Sequence, residues 1–583
     1  MKRFAMKRFS VISVVGLVAA LLVAVGSGTP ATADPPADAL SVWVPTGNFA
    51  SSSFVRVAPA APNPLPEETD RSLAIAAVRG GHASGQLAVA STADLQELRV
   101  NVGPLIAPGA GIGAIVDAVQ VRYPAYVPDQ RVGLGLTEDP LLEVDVVDVT
   151  AGRVQPVWFT LAVPADAKPG TYQSRIVIRA IGVKSVTYNL KVDVADVTLP
   201  PPAERNYHLD LWFQPDTIAD QLGLELWSDE HFEAMEPYLR DLADHGQEVV
   251  NTAIAQDPWR ISRGGVWSSQ TYVPYNSLVD WSYDGQAWSF DFDNWDRFVE
   301  QSLAAGIGPY IHAFGLLGFR NNFLVYTDTR TGEFVDREVT VGSADWVDAW
   351  SAFLATFEDH VRDRGWLDVT YMAFDERPAS QMQQAVSLGQ QFAPELTGKG
   401  FAGAGSANTD PFMFDLSLNY SSVNSWPQDV IDRRREEGKL TTFYTWGEPL
   451  HPNTLTESPP IGARALSWRS AKSGLDGYLR WAYNSWPQDP YTASFQYRAG
   501  DEYMVYPGED GPVSKIGWEL FRDGQEDFAL LDQLATLGGA DHPVRLAALN
   551  SVDPGAAAGP ASYTALLNAR AMVVEALEEL SGD

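Results

Sequence analysis

Eight short apolar stretches separated by helical ones follow Pro200-Pro201-Pro202, and few folds satisfy that rhythm. A strand covered by helices on both faces reads as a continuous apolar run and pairs in parallel with its neighbours. The stretches lie near Tyr207 to Phe213, Glu248 to Thr252, Gly308 to Phe314, Val369 to Asp375, Gly400 to Gly403, Asp415 to Asn419, Thr442 to Trp446 and Gly477 to Tyr483. Helices between them carry their own punctuation. Trp295 to Ala305 is entered from Asp293-Asn294 and left at Gly306, and Trp346 to Arg364 is left at Gly365. An eight-stranded (β/α)8 TIM-like barrel is the economical closure of such a chain.

Upstream, from about Ala39 to Val197, the pattern has period two. Leu98 to Val102, Val154 to Leu161 and Ser185 to Val192 largely alternate apolar and polar, with turn signals such as Pro169-Gly170 between strands. That predicts an antiparallel β-sandwich ahead of the barrel, joined to it by a stiff triple proline. The fold class is therefore α/β plus all-β. The layout expected is a signal peptide over 1–33, a sandwich over 34–200, a barrel over 201–540 and a helical segment over 541–583. The first of these rests on Lys2, Arg3, Lys7 and Arg8, an apolar run from Val11 to Val25, and Ala31-Thr32-Ala33 as a cleavage site. A secreted, extracellular protein follows, with no membrane attachment after cleavage. The chain has no cysteine, so disulfides, thiolate nucleophiles and thiolate metal sites are excluded. A net charge of −33 argues against nucleic acid or an anionic membrane as partner. No metal or other cofactor is implied, and the oligomeric state is not legible.

Tyr371-Met372-Ala373-Phe374-Asp375-Glu376-Arg377-Pro378 is an apolar run that stops in two adjacent acids. In α/β barrels the chemistry sits where strands end, which makes Asp375 and Glu376 the catalytic candidates. The competing reading is a helix start, where acids and a proline are equally at home. Other strand ends carry Asp210 and Trp212, Asn251, His312, Tyr444 and Trp446, and Trp481, Tyr483 and Trp486. Aromatic rings near carboxylates suit sugars, whose C–H faces stack and whose hydroxyls need fixed polar partners. Rings that merely pack the barrel rim would leave the same trace, and a lone His312 is more often a satisfied core histidine than a catalyst. Asp291 to Asp296 imitates a calcium loop but lacks its glycine and distal glutamate, so it reads as a helix N-terminus. Asn-Ser-Trp-Pro-Gln-Asp occurs at Asn424 to Asp429 and again at Asn484 to Asp489, too short a match to claim a repeat.

The segment Gly500 to Gly508, then Gly511-Pro512-Val513-Ser514 and Trp518-Glu519-Leu520-Phe521-Arg522-Asp523-Gly524-Gln525-Glu526-Asp527-Phe528, resembles the C-terminal signature of the domain of unknown function 4091. Arg464 to Trp468 and Asp476 to Trp481 fit the same pattern. Proteins with that signature resemble glycoside hydrolase family 123. The resemblance implies a sandwich, a barrel, and a retaining β-N-acetylgalactosaminidase that borrows its nucleophile from the substrate's 2-acetamido group. An Asp-Glu pair ending the fourth strand does this work, and it matches Asp375 and Glu376. Glu376 would be the general acid and then the base, and Asp375 would orient and polarise the acetamido group. Strand neighbours point to opposite sides, so the backbone must twist or bulge for both acids to reach one sugar. Arg377 stands where the family commonly proceeds directly to proline. Two alternatives remain beside this: Glu448 as a carboxylate nucleophile with Glu376 as acid/base, and a non-catalytic carbohydrate-binding protein that keeps only the aromatics. On all of these readings the partner is a carbohydrate.

Overall fold

The structure, a computed structural model, describes residues 40–582 except 46–50, 68–69, 108–113, 130–134, 264–265 and 494–495. The expected signal peptide lies outside the described residues.

Two sheets face each other in the N-terminal part. One runs in the order Leu40–Trp43, His82–Ser91, Val154–Ala162, Val119–Pro128, Leu136–Leu142, and its pairings are all antiparallel. The other is built around Ser72–Arg79, Val186–Thr198, Gly170–Arg179 and Leu95–Val102. Val186–Thr198 buries every second residue, as alternation predicts, and Tyr188, Leu190 and Val192 meet Leu87, Val89 and Phe159 between the sheets. Two expectations need correction. The sandwich is not purely antiparallel, because Ser72–Arg79 runs parallel to Val186–Thr198. Val154–Ala162 is buried on both faces, because its second face lies against the barrel, with Trp158 in the barrel's core and Thr160 bonded to Glu519.

All eight barrel strands form where the apolar runs lie: β1 (His208–Leu211), β2 (Val249–Ala253), β3 (Tyr310–Phe314), β4 (Thr370–Asp375), β5 (Phe401–Gly405), β6 (Met413–Asn419), β7 (Leu440–Tyr444) and β8 (Gly477–Arg480). They pair in parallel and in sequence order from β2 through β8, and β8 returns to β1. Between β1 and β2 the barrel is nearly closed. Glu248 N–H donates to Leu209 O at 3.1 Å, and the Gln247 amide accepts from Leu211 N at 3.0 Å and donates to Leu211 O at 3.1 Å. Helices Asp293–Ala305 and Ala344–Asp363 end close to their expected positions, the first at a left-handed Gly306. An additional four-stranded sheet, Asp280–Tyr283, Trp288–Asp291, Asn322–Asp328 and Glu333–Val339, is inserted around β3.

Candidate active site

β4 delivers the acid pair. Asp375 is its last residue and turns inward, as Ala373 and Tyr371 do two and four places earlier. Glu376 then adopts a left-handed backbone, φ +50°, while its N–H still donates to Ala404 O of β5 at 2.9 Å. That single reversal supplies the twist that two neighbouring acids need to face one space. A non-glycine residue held at positive φ costs roughly 1–3 kcal/mol, and such strain persists where the surroundings over-determine it.

Each carboxyl has an aromatic partner. Trp259 Nε1 donates to Asp375 Oδ2 at 3.0 Å, and the Tyr444 hydroxyl donates to Glu376 Oε1. Trp259 and Tyr444 belong to one apolar cluster inside the barrel mouth, together with Trp212, Tyr275 and Phe314. Trp212 and Trp259 lie 5.0 Å apart, and Trp259 and Tyr275 lie 4.6 Å apart. Both acids therefore open on the same space. Burial first, and the neighbouring Glu376 second, push the Asp375 carboxyl up to about 7, against the opposing pull of the Trp259 N–H and of Arg377 and Arg320. Arg377 is buried and donates to Phe319 O and Gln381 Oε1, so the residue inserted before Pro378 ties the acid turn to the loop after β3.

The other expected site residues divide by depth. Trp212, Asn251 and Tyr444 gather at the mouth with the acids, and Asn251 lines a cleft with Trp212, Trp259 and Phe314. Trp481 is half-buried beside them, its Nε1 3.2 Å from Asp501 Oδ1, and Trp446 stands exposed at the rim. Asp210 and His312 are sealed below the mouth in a chain of alternating acids and imidazoles. Glu248 Oε2 lies 2.6 Å from His208 Nδ1, His208 Nε2 2.9 Å from Asp415 Oδ2, Asp415 3.6 Å from His312 Nε2, and His312 Nδ1 3.5 Å from Asp210 Oδ2. Asp210 in turn takes the Asn251 amide at 2.8 Å. Burial pulls the His208 imidazolium down, but Asp415 and Glu248 outweigh it and hold the group well above its usual value. Asp210, His312 and Asp415 bring ligating atoms within 4.8 Å of one another. His312, however, turns a different nitrogen to each carboxylate, at ion-pair distance, so its two ring atoms do not converge on one ion. His312 is thus a core histidine, as its type suggests.

Tyr483 and Trp486 require correction. Both are fully buried on the outer, helix-facing side: the Tyr483 hydroxyl donates to Asp241 at 2.6 Å and Trp486 Nε1 donates to Val505 O at 2.7 Å. β8 stops at Arg480, so the alternation that would bring them inward does not continue. Glu448 is exposed, and its carboxylate pairs with Arg498 at 3.2 Å. Trp259 and Tyr275 were not anticipated. They sit in the long loop after β2, where no strand period announces direction.

A family model described as "Glycoside hydrolase 123, catalytic domain" matches residues 212–534, and one described as "Glycoside hydrolase 123 N-terminal domain" matches 55–180. The first alone spans more than half the chain. The protein belongs to glycoside hydrolase family 123. It is accordingly a glycoside hydrolase, an enzyme acting on carbohydrate. A family 123 glycoside hydrolase from Clostridium perfringens, whose structure was determined for "glycolipid glycan hydrolysis", superposes with a TM-score of 0.80 at 19% identity, over 93% of this chain and 98% of the other. At that identity the likeness speaks for the fold. A family 39 glycoside hydrolase from Bacteroides cellulosilyticus WH2 reaches a TM-score of only 0.32, at 10% identity over 73% of this chain and 82% of the other, and carries no argument. No curated protein matches the sequence. Within this family 123 chain, the long helix Ile516–Gly538 joins the sandwich to the barrel. Glu519 meets Arg122 at 2.9 Å, Glu526 accepts the His82 backbone N–H, and Asp527 takes Arg464 at 2.7 Å.

Proposed function

We propose that the protein is a secreted, retaining β-N-acetylgalactosaminidase-like enzyme in which the substrate's 2-acetamido group is the nucleophile. The observation that carries this reading is the arrangement of the acids. Asp375 is enclosed beside Trp259 while Glu376 is turned to Tyr444, and Glu448 at the rim is engaged by Arg498.

In the first step the acetamido carbonyl oxygen attacks the anomeric carbon and the glycosidic C–O bond breaks. The electron pair of that bond goes to the leaving oxygen, which takes the Glu376 proton. Asp375 accepts the acetamido N–H and stabilises the positive charge growing on the nitrogen as the five-membered ring forms. Glu376, now a carboxylate, removes a proton from water, whose oxygen attacks the same carbon and reopens the ring. Two inversions give net retention. The aromatic cluster of Trp212, Trp259, Tyr275 and Phe314 supplies apolar walls around this chemistry.

Nitrophenyl glycosides with and without a 2-acetamido group test the reading. The expectation is turnover of the 2-acetamido sugars, galacto-configured first, and inhibition by a thiazoline analogue of the cyclised intermediate. Efficient hydrolysis of a 2-hydroxy glycoside together with indifference to the thiazoline would overturn it, and would favour Glu448 as nucleophile.

A further inference from the structure

Trp446 is the only tryptophan with a largely exposed side chain, 47%, among the residues whose exposure is described. An indole left in water forgoes the stabilisation of burial, and a flexible loop would let it fold down. This loop is held open from below. Asn453 Nδ2 donates to Trp446 O and to Pro449 O, both at 2.7 Å, while Asn453 Oδ1 accepts from Arg480 at 2.7 Å. Arg480 is itself fully buried and paired with Asp501 at 2.8 Å. A side chain on the next residue, Gly447, would start 3.3 Å from Asp501 Oδ2, so the backbone is also pressed close to that anchor. The ring is presented on a rigid support.

Its position relates it to the acid. β7 carries Tyr444 to Glu376, and the chain continues outward from Tyr444 to Trp446 two residues later. A general acid stands at the oxygen of the leaving group, so the departing part of the substrate lies on the outward side of Glu376. Beside the indole, Glu448 and Glu457 hold Arg498 at 3.2 and 2.5 Å, a polar edge of exposed donors and acceptors.

We propose that Trp446 is the platform on which the first sugar of the leaving group stacks, so that this enzyme is specific for residues linked to another sugar. A pyranose offers an apolar C–H face to the indole and hydroxyls to the Glu448–Arg498 edge, which a lipid chain or a peptide backbone does not combine. The proposal rests on Glu376 as the general acid.

The test compares two substrates of one glycone, whichever the wild-type enzyme cleaves fastest: a disaccharide and the corresponding glycosyl fluoride, which has no leaving sugar. Trp446→Ala is expected to lower kcat/KM on the disaccharide by roughly 10- to 100-fold, with the fluoride changed by less than about twofold. Trp446→Tyr should recover most of the loss. Equal losses on the two substrates, or an unchanged disaccharide, would overturn the proposal. Glu376→Gln is run in parallel on the folded protein. If that variant cleaves the disaccharide at the wild-type rate, the acid assignment fails whatever Trp446 does.

Discussion

Asp375 is enclosed while Glu376 beside it is exposed, and the enclosed carboxyl sets the pH behaviour. Burial first, and the neighbouring Glu376 second, raise the Asp375 carboxyl to about 7, so it carries a proton below that pH. The proposed step uses Asp375 as a carboxylate, so kcat/KM should rise as pH rises through about 7. Trp259→Phe removes an N–H that favours the ionised form, so it should move this acid limb upward; a limb that stays in place would show that Trp259 only packs. Glu376→Gln should cost on the order of 10² to 10⁴ in rate on poor leaving groups and much less on activated ones. Asp375→Asn should be severe on both, because an amide does not balance the positive charge on the acetamido nitrogen. Glu448→Gln should be mild. The acids and Tyr444 were legible in the sequence because a strand end fixes which way a side chain points. Trp259 was not, since it lies six residues past Ala253 and only the path of the loop brings it to Asp375. Tyr483 and Trp486 misled for the mirror reason, aromatic type read without strand direction.

At the scale of elements, the eight strands could be found because both faces are covered, which leaves apolar runs that stand out against polar helices. The added sheet around β3 was hidden, because its exposed strands such as Glu333–Val339 carry charge and resemble loop sequence. Two features of the barrel make testable demands. Gly477 lets β8 close against β1, since an added Cβ would lie 1.8 Å from His208 O, a backbone atom that has nowhere to go. Gly477→Ala should therefore destabilise the fold by at least about 1–3 kcal/mol, seen as a lower denaturation midpoint with unchanged m. The His208 imidazolium, held by Asp415 and Glu248, contributes stability that is complete below the unfolded value of about 6.5 and is lost as pH rises through the higher folded value. His208→Gln should flatten that part of the profile of Tm against pH; an unaltered slope would assign it elsewhere.

At the scale of the whole molecule, the long helix Ile516–Gly538 ties the sandwich to the barrel. Its acids are read in sequence as a mark of kinship, and in the structure they are the seam. Glu519 and Arg122, 4% and 3% exposed, pair across the domains, and burial of Glu519 is outweighed by Arg122 and Arg522, which hold its carboxyl well below the usual range. Arg122→Ala leaves that buried charge with Arg522 as its remaining cation, and should cost up to about 3–5 kcal/mol. Gly524 lets the same helix pack on the barrel helix Ile461–Ser473, because a Cβ there would strike Arg464 O at 2.5 Å. Sequence could name these residues but not their task, since the task depends on which domain faces the helix. What the assembled site does rests on where its nucleophile comes from, and one series decides that: kcat/KM for glycosides whose 2-acetamido group carries none, one, two or three fluorines. A borrowed nucleophile predicts a progressive fall as fluorine draws electrons from the carbonyl oxygen. Rates indifferent to fluorine, with a 2-fluoro sugar attached covalently to Glu448, would contradict the account.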